Sequence, residues 1–239
     1  HNLGAGTVTI PSKSDDYAWS INSYFARINY TLKDRYLFTA TGRYDGSSKF
    51  GKNNKYAFFP SFAFAWRASE ESFLKSVHWL NNLKVRTSIG ETGNQEIGNY
   101  AFFQNLGSEN AIFGDNYYTA LYRSTFGNPD LKWEKTLQWD AGVDVSVLNQ
   151  RIDLSLDYYY KKTVDLHYDK ILPYYTGYSS QTQNIGSKSN KGWEFSLNTQ
   201  NLVGDFKWST SLNIALNREK VLDLGDDAVG IDAVGVEHQ

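Results

Sequence analysis

Four aspartates in this 239-residue chain stand where side chains could do chemistry: Asp140, Asp144, Asp153 and Asp157. On two strands joined by a tight turn at Asn149-Gln150 they share one face, and paired carboxylates across a cleft are the machinery of glycoside hydrolysis. The same residues also read as the acidic wall of a polar lumen, or as salt-bridge partners of a body packed against it. The second reading is the stronger. Polar residues recur at alternate positions on every strand candidate, and these four belong to that series. No other catalytic set assembles. The histidines, His1, His78, His167 and His238, are scattered over loop candidates without metal-ligand spacing. Gly225-Asp226-Asp227 lacks the ligand series of a calcium loop. No glycine-rich phosphate loop leads from a strand into a helix. Cysteine is absent, which removes thiol nucleophiles, thiolate metal sites and disulfide scaffolds. The expectation is a protein that is not an enzyme and uses no cofactor or metal.

Aromatic side chains form the second group. Tyr117, Tyr118, Tyr122, Tyr174, Tyr175 and Tyr178, with Phe113 beside them, fall in long loop candidates. Flat rings there can stack on the apolar C–H faces of sugars, which makes these tyrosines candidate substrate contacts. Packing of the loops against each other, or against a covering partner, is the simpler account.

The elements that must position these residues repeat with a period of two, which is the strand period. Strand candidates are 19–32, 36–45, 55–67, 82–90, 133–148, 151–163, 188–203 and 206–217. They are long: soluble strands average about 5–6 residues, and a tilted membrane strand needs about 9–11. Lys33-Asp34-Arg35, Asn149-Gln150 and Gly204-Asp205 are tight turns, whereas 46–54, 91–132, 165–187 and 218–239 are long loops. The segment Ala68–Asn81 is the exception on the short side, with Ser69 as the expected cap of a short helix and Glu70 and Glu71 in its first turn. Short turns on one rim and long, outward loops on the other are the pattern of outer-membrane barrels.

Register follows from the faces. A two-residue type II′ turn at Gly204-Asp205 sets Val203 against Phe206 and gives Leu197–Leu212, Phe195–Ile214 and Trp193–Leu216. The Asn149-Gln150 turn gives Val147–Ile152 through Trp139–Tyr160, with polar pairs Ser146–Asp153 and Asp144–Ser155. A three-residue first turn gives Tyr30–Phe38, Ile28–Ala40 and Tyr24–Tyr44. A slip of one residue would exchange the faces everywhere. Along the apolar face Trp139, Trp193, Tyr158 and Tyr160 lie at the long-loop end, Trp208 lies near the opposite rim, and Leu197, Leu212 and Ile214 lie between. Aromatic rings at two heights with aliphatics between them are an interfacial belt against lipid. The other face, with Arg27, Arg43, Arg86, Asp140, Glu194 and Asn198, is too polar for the filled interior of a small sandwich.

The bulk numbers agree. A net charge of −2 gives nucleic acid no basic footprint. Aromatics make up 16% of the chain, and no apolar run approaches the ~18 residues of a membrane helix. Methionine is absent and residue 1 is histidine, so the chain is expected to be a piece of a longer one. The fold expected is all-β: a transmembrane antiparallel barrel of which this chain is an arc of about eight strands. On these patterns alone, a soluble carbohydrate-binding β-module and a siderophore-receptor or passive porin arc remain as alternatives.

Four stretches carry a family resemblance: 26–75, 83–100, 127–144 and 184–201, with the phrases RYDGSSKFG, NPDLKWE and NKGWE in that order. They resemble the SusC/RagA family of TonB-dependent outer-membrane transporters of Bacteroidetes, over most of residues 20–222. The resemblance implies a plugged barrel of about twenty-two strands that imports oligosaccharides or peptides without transforming them. It implies a SusD-like surface lipoprotein as partner, TonB-ExbB-ExbD as the energy source acting on the plug side, outer-membrane lipid around the wall, and the remainder of the same barrel at both edges.

Overall fold

A computed structural model describes residues 16–114 and 116–225, the Tyr117 side chain excepted. Twelve strands follow in order: β1 (Ile21–Leu32), β2 (Tyr36–Ser47), β3 (Tyr56–Arg67), β4 (Leu80–Asn94), β5 (Leu106–Phe113), β6 (Asn116–Arg123), β7 (Glu134–Val147), β8 (Ile152–Val164), β9 (His167–Ile171), β10 (Ser180–Asn184), β11 (Ser187–Val203) and β12 (Lys207–Asp223). Eight of them make one antiparallel sheet in the order β1-β2-β3-β4-β7-β8-β11-β12. The remaining four pair as the separate hairpins β5–β6 and β9–β10, inserted in the long connections. The expected loops 91–132 and 165–187 therefore carry strands of their own.

The alternation sets the register almost throughout. Tyr24 opposes Tyr44, Ile28 opposes Ala40 and Tyr30 opposes Phe38. Val147 opposes Ile152 and Trp139 opposes Tyr160, and Leu197 opposes both Leu154 and Leu212. One row on the apolar face runs Tyr30, Phe38, Phe64, Thr87, Ala141, Tyr158, Trp193, Leu216. It starts beside the Lys33–Arg35 turn on β1 and ends far above the Gly204 turn on β12. This stagger is the shear of tilted barrel strands.

Several boundaries differ from the sequence reading. β4 begins at Leu80 and runs to Asn94, pairing with β7 as far as Glu134. β12 continues through residues 218–223, with Glu219 opposite Asn190 and 3.1 Å from Lys188. Those six residues are thus strand rather than part of the expected loop 218–239, of which 226–239 lie outside the described residues. Gly204-Asp205 is not a two-residue type II′ turn. Gly204 lacks the positive φ that turn requires, and Val203 opposes Lys207, leaving Phe206 in the turn. A bulge at Asn201 restores the register, so Leu202 opposes Trp208 and the pairs above are unchanged. Arg151, from the neighbouring turn, holds the bulge by donating to the carbonyls of Gln200 and Asn201 at 3.1 and 2.7 Å.

The helix expected near Ser69 is one 3₁₀ turn, Ala68–Glu70, with Arg67 at its N-cap and no side-chain capping bond. Ser69 lies inside the turn. Glu71 turns instead to the strands: Arg35 Nη1 donates to it at 2.8 Å, Tyr36 Oη at 2.6 Å and Trp66 Nε1 at 3.2 Å. These donors, the Tyr36 hydroxyl foremost, hold its carboxyl below the usual carboxylate range against the opposing effect of burial.

The sheet has one layer. Its apolar face carries exposed Ile28, Phe62, Trp139, Trp193, Trp208, Leu212 and Ile214, a continuous surface far beyond what soluble monomers leave bare. The buried core of the described residues lies at the long-loop rim, where Phe50, Phe59, Ile97, Leu131 and Trp133 pack together.

Candidate functional site: the polar face and its roof

Residues alternating with the apolar row line the opposite face, where ion pairs run across strands. Arg86 on β4 is the hub. Its Nε lies 3.1 Å from Asp144 on β7 and its Nη1 lies 2.8 Å from Asp157 on β8. Ser155 Oγ donates to Asp144 at 2.8 Å. Gly142 makes the convergence possible: a Cβ there would collide with the Asp157 carboxylate and the Arg86 guanidinium. One residue pair further along, Asp140 accepts from Ser88 at 3.2 Å and from Gln138 at 2.8 Å. Arg43 Nε reaches both oxygens of Asp45, at 2.9 and 2.6 Å.

The four aspartates do share this face, and their geometry separates them by role. Asp144 and Asp157 are bridged by one guanidinium, Asp140 belongs to an amide and hydroxyl cluster, and Asp153 is exposed opposite Ser146. Hydrolysis needs one carboxylic acid and one carboxylate facing each other across open space. Here Asp144 and Asp157 meet a cation between them, which suits a braced wall.

The rim above the polar face is closed by loop segments distant in sequence. Phe50 and Trp133 lie 5.2 Å apart between ring centroids, and Phe59 meets Trp133 edge-on at 5.6 Å. Trp133 Nε1 donates to the Lys55 carbonyl at 3.1 Å, and Asn54 donates to the Asp130 carbonyl at 2.9 Å. Gly51 presses on Pro129, where a Cβ would come 2.6 Å from the carbonyl oxygen. Beneath this roof the polar face is hollowed into a cavity of about 650 Å³, bordered by Arg43, Phe59, Ser61, Gln95, Trp133 and Asp140.

The sequence profile of the family described as "TonB dependent receptor-like, beta-barrel" matches residues 2–235. This chain belongs to that family. It is 45% identical over 229 residues to TonB-dependent receptor P3 of Formosa agariphila, covering 95% of this chain and 23% of that protein. It is 46% identical over 215 residues to TonB-dependent receptor SusC of Bacteroides thetaiotaomicron, covering 86% of this chain and 21% of that one. Among solved structures, the RagAB peptide importer in its closed-closed state superposes with a TM-score of 0.81 at 33% identity, over 87% of this chain and 23% of that one. The chain thus spans under a quarter of the length of these relatives. The SusC/RagA resemblance holds, the fold is an arc of a TonB-dependent receptor barrel, and its location is the outer membrane.

Two of the phrases that carried the resemblance now have a structural meaning. RYDGSSKFG and NPDLKWE meet in the roof, through Phe50, Gly51, Pro129, Leu131 and Trp133. Sequence reasoning assigned none of these to a site; the available signal was an aromatic close to glycine in the first phrase and close to proline in the second.

The loop tyrosines are not gathered into one platform. Tyr117, Tyr118 and Tyr122 lie on β6, with Tyr118 edge-on to Phe113 at 6.1 Å and Tyr122 exposed. Tyr174 and Tyr175, on a 3₁₀ turn beyond β9, are 99% and 91% exposed. Tyr178 packs on Phe126 at 5.0 Å and accepts from Gln104 at 3.0 Å. For Tyr178 this is loop packing. On the apolar face, Trp139, Tyr158 and Trp193 form a ring ladder with centroids 5.8 and 4.8 Å apart.

Proposed function

We propose that the complete protein is an energised importer of large nutrients, oligosaccharides or peptides, across the outer membrane. In this reading the apolar face contacts acyl chains, with Trp139 and Trp193 at one interface and Trp208 at the other. The polar face lines the lumen against a plug, and the long-loop rim points outward. The observation that supports it most strongly is the pairing of an uncovered aromatic-rimmed face with a face braced by Arg86, Asp144 and Asp157. A soluble module would have to cover the first and would not need the second. A SusD-like lipoprotein over the outward loops and TonB-ExbB-ExbD on the plug side complete the machine; the partnership in the RagAB importer lends support. Tyr174 and Tyr175, bare on the rim, are contacts for that lid or for incoming solute.

The test is uptake in the source bacterium with the full gene deleted and restored. Oligosaccharide or oligopeptide accumulation that returns with the gene and disappears without TonB is the expected result. Accumulation independent of TonB would mean a passive pore, and no dependence on the gene would refute import.

A further inference from the structure

We propose that four basic side chains just above the aromatic belt, Lys162, Lys191, Arg218 and Lys220, form a seat for the phosphate-bearing headgroup of an outer-leaflet lipid. The proposal rests on the importer reading only for which face meets lipid and which rim points outward. It adds a ligand that is neither transported solute nor energising partner.

The cluster follows from register. On the apolar face one row of the sheet runs Trp139, Tyr160, Lys191, Arg218. The next row toward the long loops runs Leu137, Lys162, Ser189, Lys220. All four basic residues are exposed, and small Ser189 stands between two of them. Lys191 and Arg218 are direct cross-strand neighbours, a like-charge pairing that costs stability in a sheet. Glu219, between Arg218 and Lys220 in sequence, faces the polar side and pairs with Lys188 at 3.1 Å. On the apolar face Asp223 lies beyond Lys220 and accepts from the Gly225 amide at 2.9 Å, and Glu91 lies two strands from Lys162 along its row. Among the described residues none of the four basic side chains is paired with an acid. Such a cluster calls for an anion from outside.

Height identifies that anion as a lipid headgroup. Lys191 stands six residues along β11 from Leu197. At about 3.3 Å per residue and a strand tilt of about 40°, this places it about 15 Å above Leu197. That is half of the ~30 Å hydrocarbon thickness, the level at which acyl chains give way to headgroups. From midplane to rim the wall presents aliphatics, rings and then cations, the order in which a lipid presents chain, interface and phosphate. The patch is also one-sided: toward the short-turn rim the same three strands carry Ile152, Thr199, Leu202 and Trp208 on this face. Long lysine and arginine stems lie along apolar surface while their charged heads reach phosphate oxygens.

The test uses the full-length receptor in detergent, with bound lipid read by native mass spectrometry. Diphosphoryl lipid A, the same lipid stripped of phosphate, and inorganic phosphate are the three probes. Lys162→Gln with Lys191→Gln is compared with Lys161→Gln with Lys188→Gln, which removes equal charge from the polar face of the same strands. The expected result is that the first pair weakens binding of the phosphorylated lipid about tenfold or more. The second pair should leave it within about twofold, and Lys162→Arg with Lys191→Arg should retain it. Unchanged affinity in the first pair, equal loss in both pairs, or equal affinity for the lipid without phosphate would each overturn the proposal. Displacement of the lipid by equimolar inorganic phosphate would make this a site for free anions and overturn it as well. The assay needs neither solute nor TonB, so failure of lipid binding leaves import standing, and failure of import leaves the lipid site standing.

Discussion

Leu197→Arg and Asn198→Arg place the same side chain on neighbouring residues of β11, and the account expects very different costs. Leu197 sits between Leu154 and Leu212 on the apolar face, midway between Trp193 and the Leu202–Trp208 pair. An arginine there projects into the hydrocarbon midplane, which costs about 2–4 kcal/mol in a barrel wall. Asn198 faces the polar side and accepts one hydrogen bond from Ser211 at 2.7 Å. Its replacement forfeits about 0.5–1.5 kcal/mol and leaves the new charge in a wet or polar setting. Leu202→Arg gives a third point, near the interface, where the cost falls to about 0–1 kcal/mol. Folding of the full-length receptor into lipid vesicles, titrated with urea, measures all three. Equal costs at 197 and 198, or a flat profile from 197 to 202, would refute the assignment of faces.

Arg86→Ala leaves Asp144 and Asp157 without their shared cation. Because Arg86 is 37% exposed, the expected loss is about 1–3 kcal/mol and not the larger cost of a fully buried pair; urea unfolding checks it, and no change would mean that the bridge is idle. Trp133→Ala removes the centre of the roof, where a buried tryptophan carries about 3–5 kcal/mol. Cleavage by protease within residues 98–128 should speed up while strand amides stay protected, and unaltered cleavage would contradict the packing. Glu71 has a depressed folded-state pKa, so its contribution to stability is present above the ordinary carboxylate pKa and lost as pH falls through the folded value. Thermal unfolding from pH 7 to pH 3 should show this acid-sensitive component in the parent and not in Glu71→Gln; identical profiles would contradict it.

The sheet was legible because its cause is local. Alternation in GWEFSLN and KWSTSLNIAL fixes which residues share a face, and the turns fix which strands meet. Even where the turn type at Gly204-Asp205 was misjudged, the bulge at Asn201 preserved the Leu197–Leu212 pair, because burial of a whole face outweighs the geometry of one turn. The roof was not legible. Phe50, Ile97 and Trp133 come together from separate loops, and no periodicity within any one of them announces the contact. Glu71 misled for a related reason: its position suggested a helix N-terminus, while its partners Arg35, Tyr36 and Trp66 lie on other elements. The four aspartates were placed on their face by parity alone, but the guanidinium between two of them comes from β4 and appears only in the folded sheet. The hairpins β5–β6 and β9–β10 were missed because their strands are short and do not separate apolar from polar residues.

The central claim is that one face of this sheet meets lipid and the other a lumen. A nitroxide scan along residues 193–200 of β11, in the full-length receptor reconstituted in vesicles, tests it most directly. The account predicts that collision with oxygen, which concentrates in the bilayer, rises at 193, 195, 197 and 199, falls at 194, 196 and 198, and peaks at Leu197. A profile without the two-residue period, or with its maxima at Glu194, Ser196 and Asn198, would contradict it.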